Sequence, residues 1–143
     1  MKYVDKVLEP GEQVLARGTL HWIIYVLPVI ATTVGVLMLS SHDTAPIGGL
    51  LLFIAIPLWL HSWIERATTE IAVTSKRVIF KRGLIWRSTI EMNANKVESV
   101  NVAQSILGRL LDFGTITVRG TGTGIEPIRN IADPLLLRRA VNQ

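Results

Sequence analysis

Two charge-free apolar runs separated by five residues constrain this chain more than any other feature of it. No Asp, Glu, Lys or Arg occurs over residues 18–42, and within that stretch residues 22–39 are apolar apart from Thr32 and Thr33. After Ser40-Ser41-His42-Asp43-Thr44 a second charge-free run covers residues 45–64. As helices at about 1.5 Å per residue the two runs reach roughly 27–30 Å, the thickness of a bilayer's hydrocarbon core. A surface helix of a soluble protein shows a polar face, and neither run does. A buried helical hairpin in a soluble protein fits these lengths less well than two membrane spans. A cleaved leader does not fit either: the first run begins only at residue 22, has no positive stretch directly before it, and is followed at once by a second span.

A connection of five residues makes the two spans antiparallel, with both chain ends on one side. Lys and Arg select the side. The connection has none, whereas Lys2, Lys6 and Arg17 precede the hairpin and Arg66, Lys76, Arg77, Lys81 and Arg82 follow it. The termini are therefore expected in the cytoplasm and the loop outside. Trp22, Tyr25, Trp59 and Trp63 all fall near the cytoplasmic ends, as an interfacial aromatic belt would. Gly35, Gly48 and Gly49 allow close helix packing in the membrane.

Composition narrows the chemistry. The chain holds 143 residues, 49% of them hydrophobic and 18% charged, against about 25% charged in an ordinary soluble domain. This excludes a disordered chain. Zero cysteines exclude a disulfide scaffold, thiolate zinc sites, iron–sulfur clusters and a Cys nucleophile. Residues 66–143 carry 12 Lys plus Arg and 6 Asp plus Glu, while the first 21 residues carry three of each sign. The basic character thus belongs to the part that follows the spans.

That part reads first as strands. Glu70-Ile71-Ala72-Val73-Thr74 is short and apolar, Ser75-Lys76 turns, and Arg77-Val78-Ile79-Phe80-Lys81 follows, with Val78 and Phe80 on one face and Arg77, Ile79 and Lys81 on the other. Gly83 permits a turn, and residues 84–92 alternate before Asn93-Ala94-Asn95 breaks the run. Residues 97–102 form a further strand candidate. Ile106, Leu107, Leu110 and Leu111 are spaced for one helical face, residues 115–119 resume as a strand, and residues 125–131 read as an irregular strand interrupted by Pro127. Asp133-Pro134 has the character of an N-cap and first helical position, ahead of an apolar stripe of Leu136, Leu137, Ala140 and Val141. Val78, Phe80, Ile116, Val118, Leu107, Leu110, Leu136 and Leu137 are expected to share one core, and residues 12–19 are a candidate additional strand.

Across nearly its whole length the chain resembles the type-2 bacterial pleckstrin-homology-like domain family of small membrane proteins. The resemblance rests on Leu8-Glu9-Pro10-Gly11-Glu12, the hairpin, Ala72-Val73-Thr74-Ser75-Lys76-Arg77-Val78-Ile79, Gly83-Leu84-Ile85 and Lys96-Val97-Glu98-Ser99-Val100. It continues through Gln104-Ser105-Ile106-Leu107-Gly108-Arg109, Gly114-Thr115-Ile116-Thr117-Val118 and Ile131-Ala132-Asp133-Pro134. It implies a partly open barrel of about seven strands plugged by a helix, and no particular reaction.

Signals for catalysis are poor. His21 and His61 lie near the cytoplasmic interface with Glu65 as the one obvious further ligand, and interfacial anchoring accounts for them better than a metal site does. His42 lies in the outer loop beside Asp43, and residues 66–143 contain no His for a Ser/His/Asp arrangement. Gly120-x-Gly122-x-Gly124 lacks the spacing of a dinucleotide fingerprint and reads as a strand connection. Lys76, Arg77, Lys81, Arg82 and Arg87 crowd into 12 positions just after the second span. They form either a lipid-headgroup or partner-binding surface, or a solvated strand face that serves positive-inside topology. No aromatic-studded basic sheet points to nucleic acid.

The expected fold class is α+β: a two-helix transmembrane hairpin plus a small PH-like antiparallel β-barrel or sandwich with a C-terminal helix. The expected organisation is a cytoplasmic segment over residues 1–20 that is a candidate to add a strand, the transmembrane hairpin over 21–64 and the cytoplasmic PH-like domain over 66–143. The expected role is a non-enzymatic module of the bacterial inner membrane, without cofactor or metal. It would serve protein–protein assembly or self-association, the partners being membrane lipids and a second copy or a membrane protein, and not nucleic acid. The alternative is anionic-lipid headgroup binding or a helper role in lipid or envelope homeostasis.

Overall fold

The computed structural model describes residues 3–83, 88–122 and 124–141. The chain divides into two compact units, one of Trp22–Arg66 and the other of Met1–His21 together with Ala67–Gln143.

In the first of these a 3-10 turn over Trp22–Tyr25 leads into α2 (Val26–Leu39), numbered after α1 (Tyr3–Val7) of the other unit, and α3 (Ala45–Thr68) returns. Polar side chains bond within the helix pair, as hydroxyls and indoles in apolar surroundings must. The Thr32 and Thr33 hydroxyls donate to the carbonyls of Pro28 and Val29 at 2.7 and 2.9 Å. The Ser62 hydroxyl donates to the Ile24 carbonyl at 3.0 Å, and Trp59 Nε1 donates to Thr32 Oγ1 at 3.1 Å. The two helices touch where both are glycine: a Cβ on Gly48 would stand 2.7 Å from the Gly35 carbonyl oxygen. Only 11% and 17% of the two apolar windows are buried, so side chains such as Leu37, Phe53 and Ile56 face outward. The core helix of a soluble protein has such residues covered.

The other unit holds two antiparallel sheets. β1 (Val14–Gly18), β2 (Glu70–Thr74), β3 (Arg77–Arg82) and β4 (Ser88–Asn93) form the first in that order. β5 (Val97–Ala103), β6 (Phe113–Gly120) and β7 (Gly124–Ala132) form the second, with α4 (Ile106–Leu110) between β5 and β6. β1 lies before the apolar helices in sequence and β2 after them, yet Gly18 pairs with Ile71 and Arg17 with Ala72. The sheets meet at a corner where Leu20 bridges to Ile131, the His21 N–H donates to the Asn130 carbonyl at 2.7 Å and the Ala132 N–H donates to the Thr19 carbonyl at 3.0 Å. α5 (Pro134–Val141) packs against β1, β2, β5 and β6. The described strands therefore remain two sheets with a helix against both, and do not close into a barrel.

β7 shows how an irregular sequence serves a regular face. Its apolar residues Ile125, Ile128 and Ile131 are three apart, a spacing that would scatter them over both faces of a plain strand. Ile128 pairs with Ile116 and Ile125 with Val118, so β7 carries an extra residue there, beside Pro127. A second irregularity lies between Gly114 and Ile116, opposite Asn130 at φ +57°. Such bulges re-aim side chains, and all three isoleucines are buried.

The core extends beyond the expected set on one side and falls short of it on another. β3 is buried on both faces: Ile79 lies in a second apolar cluster with Val4 and Ala72, flanked by Val7, Leu8 and Val14. The five-residue α1 covers the outer face of the sheet, and an apolar stripe so short leaves no readable period. Conversely, Leu107, Leu110 and Leu136 are exposed, although Val78, Phe80, Ile116, Val118 and Leu137 are buried as expected. α4 turns its buried side through Gly108, and α5 buries Pro134, Leu137 and Ala140, a stripe rotated away from Leu136. The start of the predicted strand, residues 84–87, lies outside the described residues.

These placements separate two substitutions that sequence alone treats alike. Phe80→Ala is expected to cost about 3–5 kcal/mol, whereas Leu107→Ala stays within about 0.5 kcal/mol. Melting of the full-length protein in mild detergent measures both.

Candidate functional site

The motif residues converge on one charged node at the tip of the β2–β3 hairpin. It begins with a turn. In Glu9-Pro10-Gly11-Glu12 the Glu12 N–H donates to the Glu9 carbonyl at 3.0 Å, and Gly11 stands at φ +80°. Proline second and a left-handed residue third are the needs of a type II turn. Nothing lies near the position a Gly11 Cβ would take, so conformation and not space demands the glycine. The turn carries the Glu12 carboxylate inward: Oε2 accepts from the Glu9 N–H at 2.9 Å, and Oε1 accepts from the Thr74 hydroxyl at 2.6 Å.

Arg77 completes the node. Its Nε and Nη2 donate to the two Glu12 oxygens at 3.1 and 3.0 Å, a paired geometry that a guanidinium matches and an ammonium does not. Nη2 also donates to the Val7 carbonyl at 2.8 Å, at the C-terminal end of α1, where a cation suits the exposed carbonyls. Nη1 donates to Glu91 on β4 at 2.8 Å. Lys76 Nζ donates to Glu9 at 2.9 Å, the Gln13 carbonyl accepts the Ser75 N–H at 2.9 Å, and Arg17 on β1 pairs with Asp5 of α1. The N-terminal segment is thus bolted to the hairpin from several sides.

The Arg77 guanidinium holds the Glu12 carboxyl at about 2, against the opposing push of burial, with the Glu9 N–H and the Thr74 hydroxyl assisting. Glu12 in turn raises Arg77 above its ordinary value. Neither group exchanges protons near neutrality, so the pair has no use as acid or base. It is a clasp.

Of the five cations singled out from sequence, the four described do not gather into one pocket. Arg77 is drawn into the clasp and Lys76 onto Glu9, so three carboxylates, Glu9, Glu12 and Glu91, stand with these two cations. Lys81 shares the Arg77 face but lies four residues away, opposite Glu70 and Thr89. Arg82 alternates to the other face opposite Ser88, and Arg87 lies outside the described residues. What sequence reasoning missed is Glu12: its signal was the Pro-Gly turn beside an acid, read only as part of a resemblance.

A second cluster forms where the sheets meet. His21 is buried and its ring stacks on Phe113, with centroids 5.2 Å apart. The strand domain therefore owns a histidine after all, supplied from ahead of the apolar helices. Asp112 and Asp133 stand beside it with left-handed backbones at φ +59° and +48°, and the Asp133 N–H donates to the Asp112 carbonyl at 3.0 Å. Hydrogen bonding to Asp112, with burial and charge repulsion in the same direction, raises the Asp133 carboxyl above the usual range. Pro134 begins α5 as expected, though Asp133 departs from the extended backbone usual at an N-cap. His61 is exposed, with Nδ1 at 4.0 Å from Glu65 Oε2. Among the described residues no group of three His, Asp or Glu is placed to hold a metal ion.

Glu12→Gln takes the buried carboxylate from Arg77, which keeps Glu91 and the more distant Glu9, and is expected to cost about 3 kcal/mol, the low end for a broken buried pair. The pH dependence has a definite sign. A carboxyl lowered from 4.5 to about 2 contributes stability that is complete above 4.5 and is lost as pH falls toward 2. Acid unfolding of the wild type should steepen across that window, and the Glu12→Gln profile should be flatter there.

A family model described as bacterial PH domain matches residues 22–143. No curated protein and no solved structure matches the chain. The match begins after the Glu9–Glu12 turn and β1, which the structure places within the same folded unit as β2 to β7. With two antiparallel sheets, a helix packed against both and a match over most of its length, the chain belongs to the bacterial PH domain family.

Proposed function

We propose that this protein is a non-enzymatic, membrane-anchored assembly module. In this reading α2 and α3 cross a bacterial inner membrane as an antiparallel hairpin, residues 40–44 lie outside, and the strand domain works at the cytoplasmic face. The outward-facing apolar side chains of both helices support the anchor. The absence of Lys and Arg from residues 40–44 supports the orientation. Burial of His21 against Phe113 supports a role without catalysis.

The observation that carries the assembly reading is the free edge of β5. Among the described residues β5 pairs with β6 alone. The strand is seven residues long and contains one charge, Glu98, with no Lys or Pro. Natural sheets blunt a free edge with such residues, and an edge left without them accepts a strand from another chain. A second copy of this chain is the simplest donor. The headgroup alternative is less well supported, because the acids around Arg77 and Lys76 outnumber them.

Native mass spectrometry in mild detergent should find an oligomer, and the double substitution Ser99→Lys with Asn101→Lys should shift it toward monomer. A wild type that stays monomeric across accessible concentrations, in detergent and in lipid nanodiscs, overturns self-association. For topology, Asp43→Cys should be labelled from outside in intact cells and Gln143→Cys should not; outside labelling of Gln143→Cys overturns the orientation.

A further inference from the structure

α4 presents three large apolar side chains to solvent within five residues: Ile106, Leu107 and Leu110 are 87%, 62% and 79% exposed. Their i, i+1, i+4 spacing places them on one helical face. A soluble surface rarely concentrates apolar area in this way without an occupant. The element is held firmly, so the exposure is not that of a loose end. The Ser105 hydroxyl accepts the Gly108 N–H at 3.0 Å, and Gln104 Nε2 donates to the carbonyls of Gly108 and Phe113, both at 3.2 Å. Gly108 lies so close to the Phe113 carbonyl that a Cβ would come within 2.6 Å of it.

The same contacts locate α4 in the domain. Phe113, against which α4 is fixed, stacks on His21, and His21 is the residue immediately before Trp22, where the apolar run begins. The apolar knuckle therefore stands at the corner from which the chain leaves the strand domain for its first apolar helix.

We infer that α4 is a membrane-dipping element: Ile106, Leu107 and Leu110 insert into the interfacial layer of the bilayer that α2 and α3 span. This rests on the membrane-anchor reading above. Arg109, exposed on the same helix, stands at headgroup height in this arrangement, with its stem along the apolar layer. The domain is thereby seated on the bilayer through apolar burial, and not through a basic patch alone.

The chain has no cysteine, so single labels are unambiguous. Leu107→Cys, Phe53→Cys on α3 and Thr121→Cys are each coupled to an environment-sensitive fluorophore in the full-length protein. Thr121 follows β6 at the end opposite α4, about 25 Å away at about 3.4 Å per residue. The proteins are reconstituted into phosphatidylethanolamine–phosphatidylglycerol vesicles with or without nitroxide-bearing lipids. The Leu107 label should be blue-shifted and quenched several-fold more than the Thr121 label, and the Phe53 label should be quenched as well. A quenched Phe53 label with a Leu107 label as water-exposed as that at Thr121 overturns the dipping helix and keeps the anchor. A blue-shifted Leu107 label that lipid nitroxides do not quench assigns the knuckle to a protein contact and overturns the proposal. An unquenched Phe53 label removes the anchor and the inference together.

Discussion

The bidentate pair of Glu12 and Arg77 is the contact on which the strand domain's first sheet depends. Its energetic value is not that of an ion pair in water, where two exposed side chains gain little. Here the carboxylate has no exposed side-chain surface, and every lone pair that faces the protein is matched by a donor from Arg77, Thr74 or the Glu9 backbone. A buried pair so arranged contributes specificity as much as stability, because any other register of the N-terminal segment would strand a charge. The clasp thereby fixes β1 beside β2 and sets α1 over Ile79. One polar contact so determines both faces of the sheet.

Much of this architecture is written in periods that a reader can count. The two apolar helices follow from charge-free runs, and β2, β3, β5 and β6 from short apolar, β-branched or alternating stretches bounded by Ser75-Lys76, Asn93 and Gly114. What escaped is of two kinds. Val4 and Val7 form a stripe too short to have a period, and they matter only because Ile79 lies beneath them. The second kind is rotation: the α5 sequence offers several apolar stripes, and the choice of Leu137 over Leu136 is made by the strands it packs against, not by α5 itself.

The candidate site was less legible than the fold for a related reason. Counting cations along the chain marks Lys76 and Arg77 as a basic surface, because their acidic partners at positions 9, 12 and 91 are distant in sequence. A charge run shows how many charges a segment has and not which of them are neutralised across the fold. The left-handed residues Asp112, Asn130 and Asp133 were equally silent, since Asp and Asn adopt that backbone without a sequence marker of their own.

The pairing of Gly18 with Ile71 makes the strand domain discontinuous, with the whole apolar helix pair inserted between two neighbouring strands. Closing so long a loop from random coil carries an entropy cost that grows with the logarithm of its length. A helix pair that packs at Gly35 and Gly48 and returns on itself shortens the gap that has to be closed. In a chain inserted into a bilayer as it is synthesised, β1 waits unpaired until the second helix has come back and β2 has followed it. Connectivity then requires that the whole helix pair be made before β1 and β2 can meet.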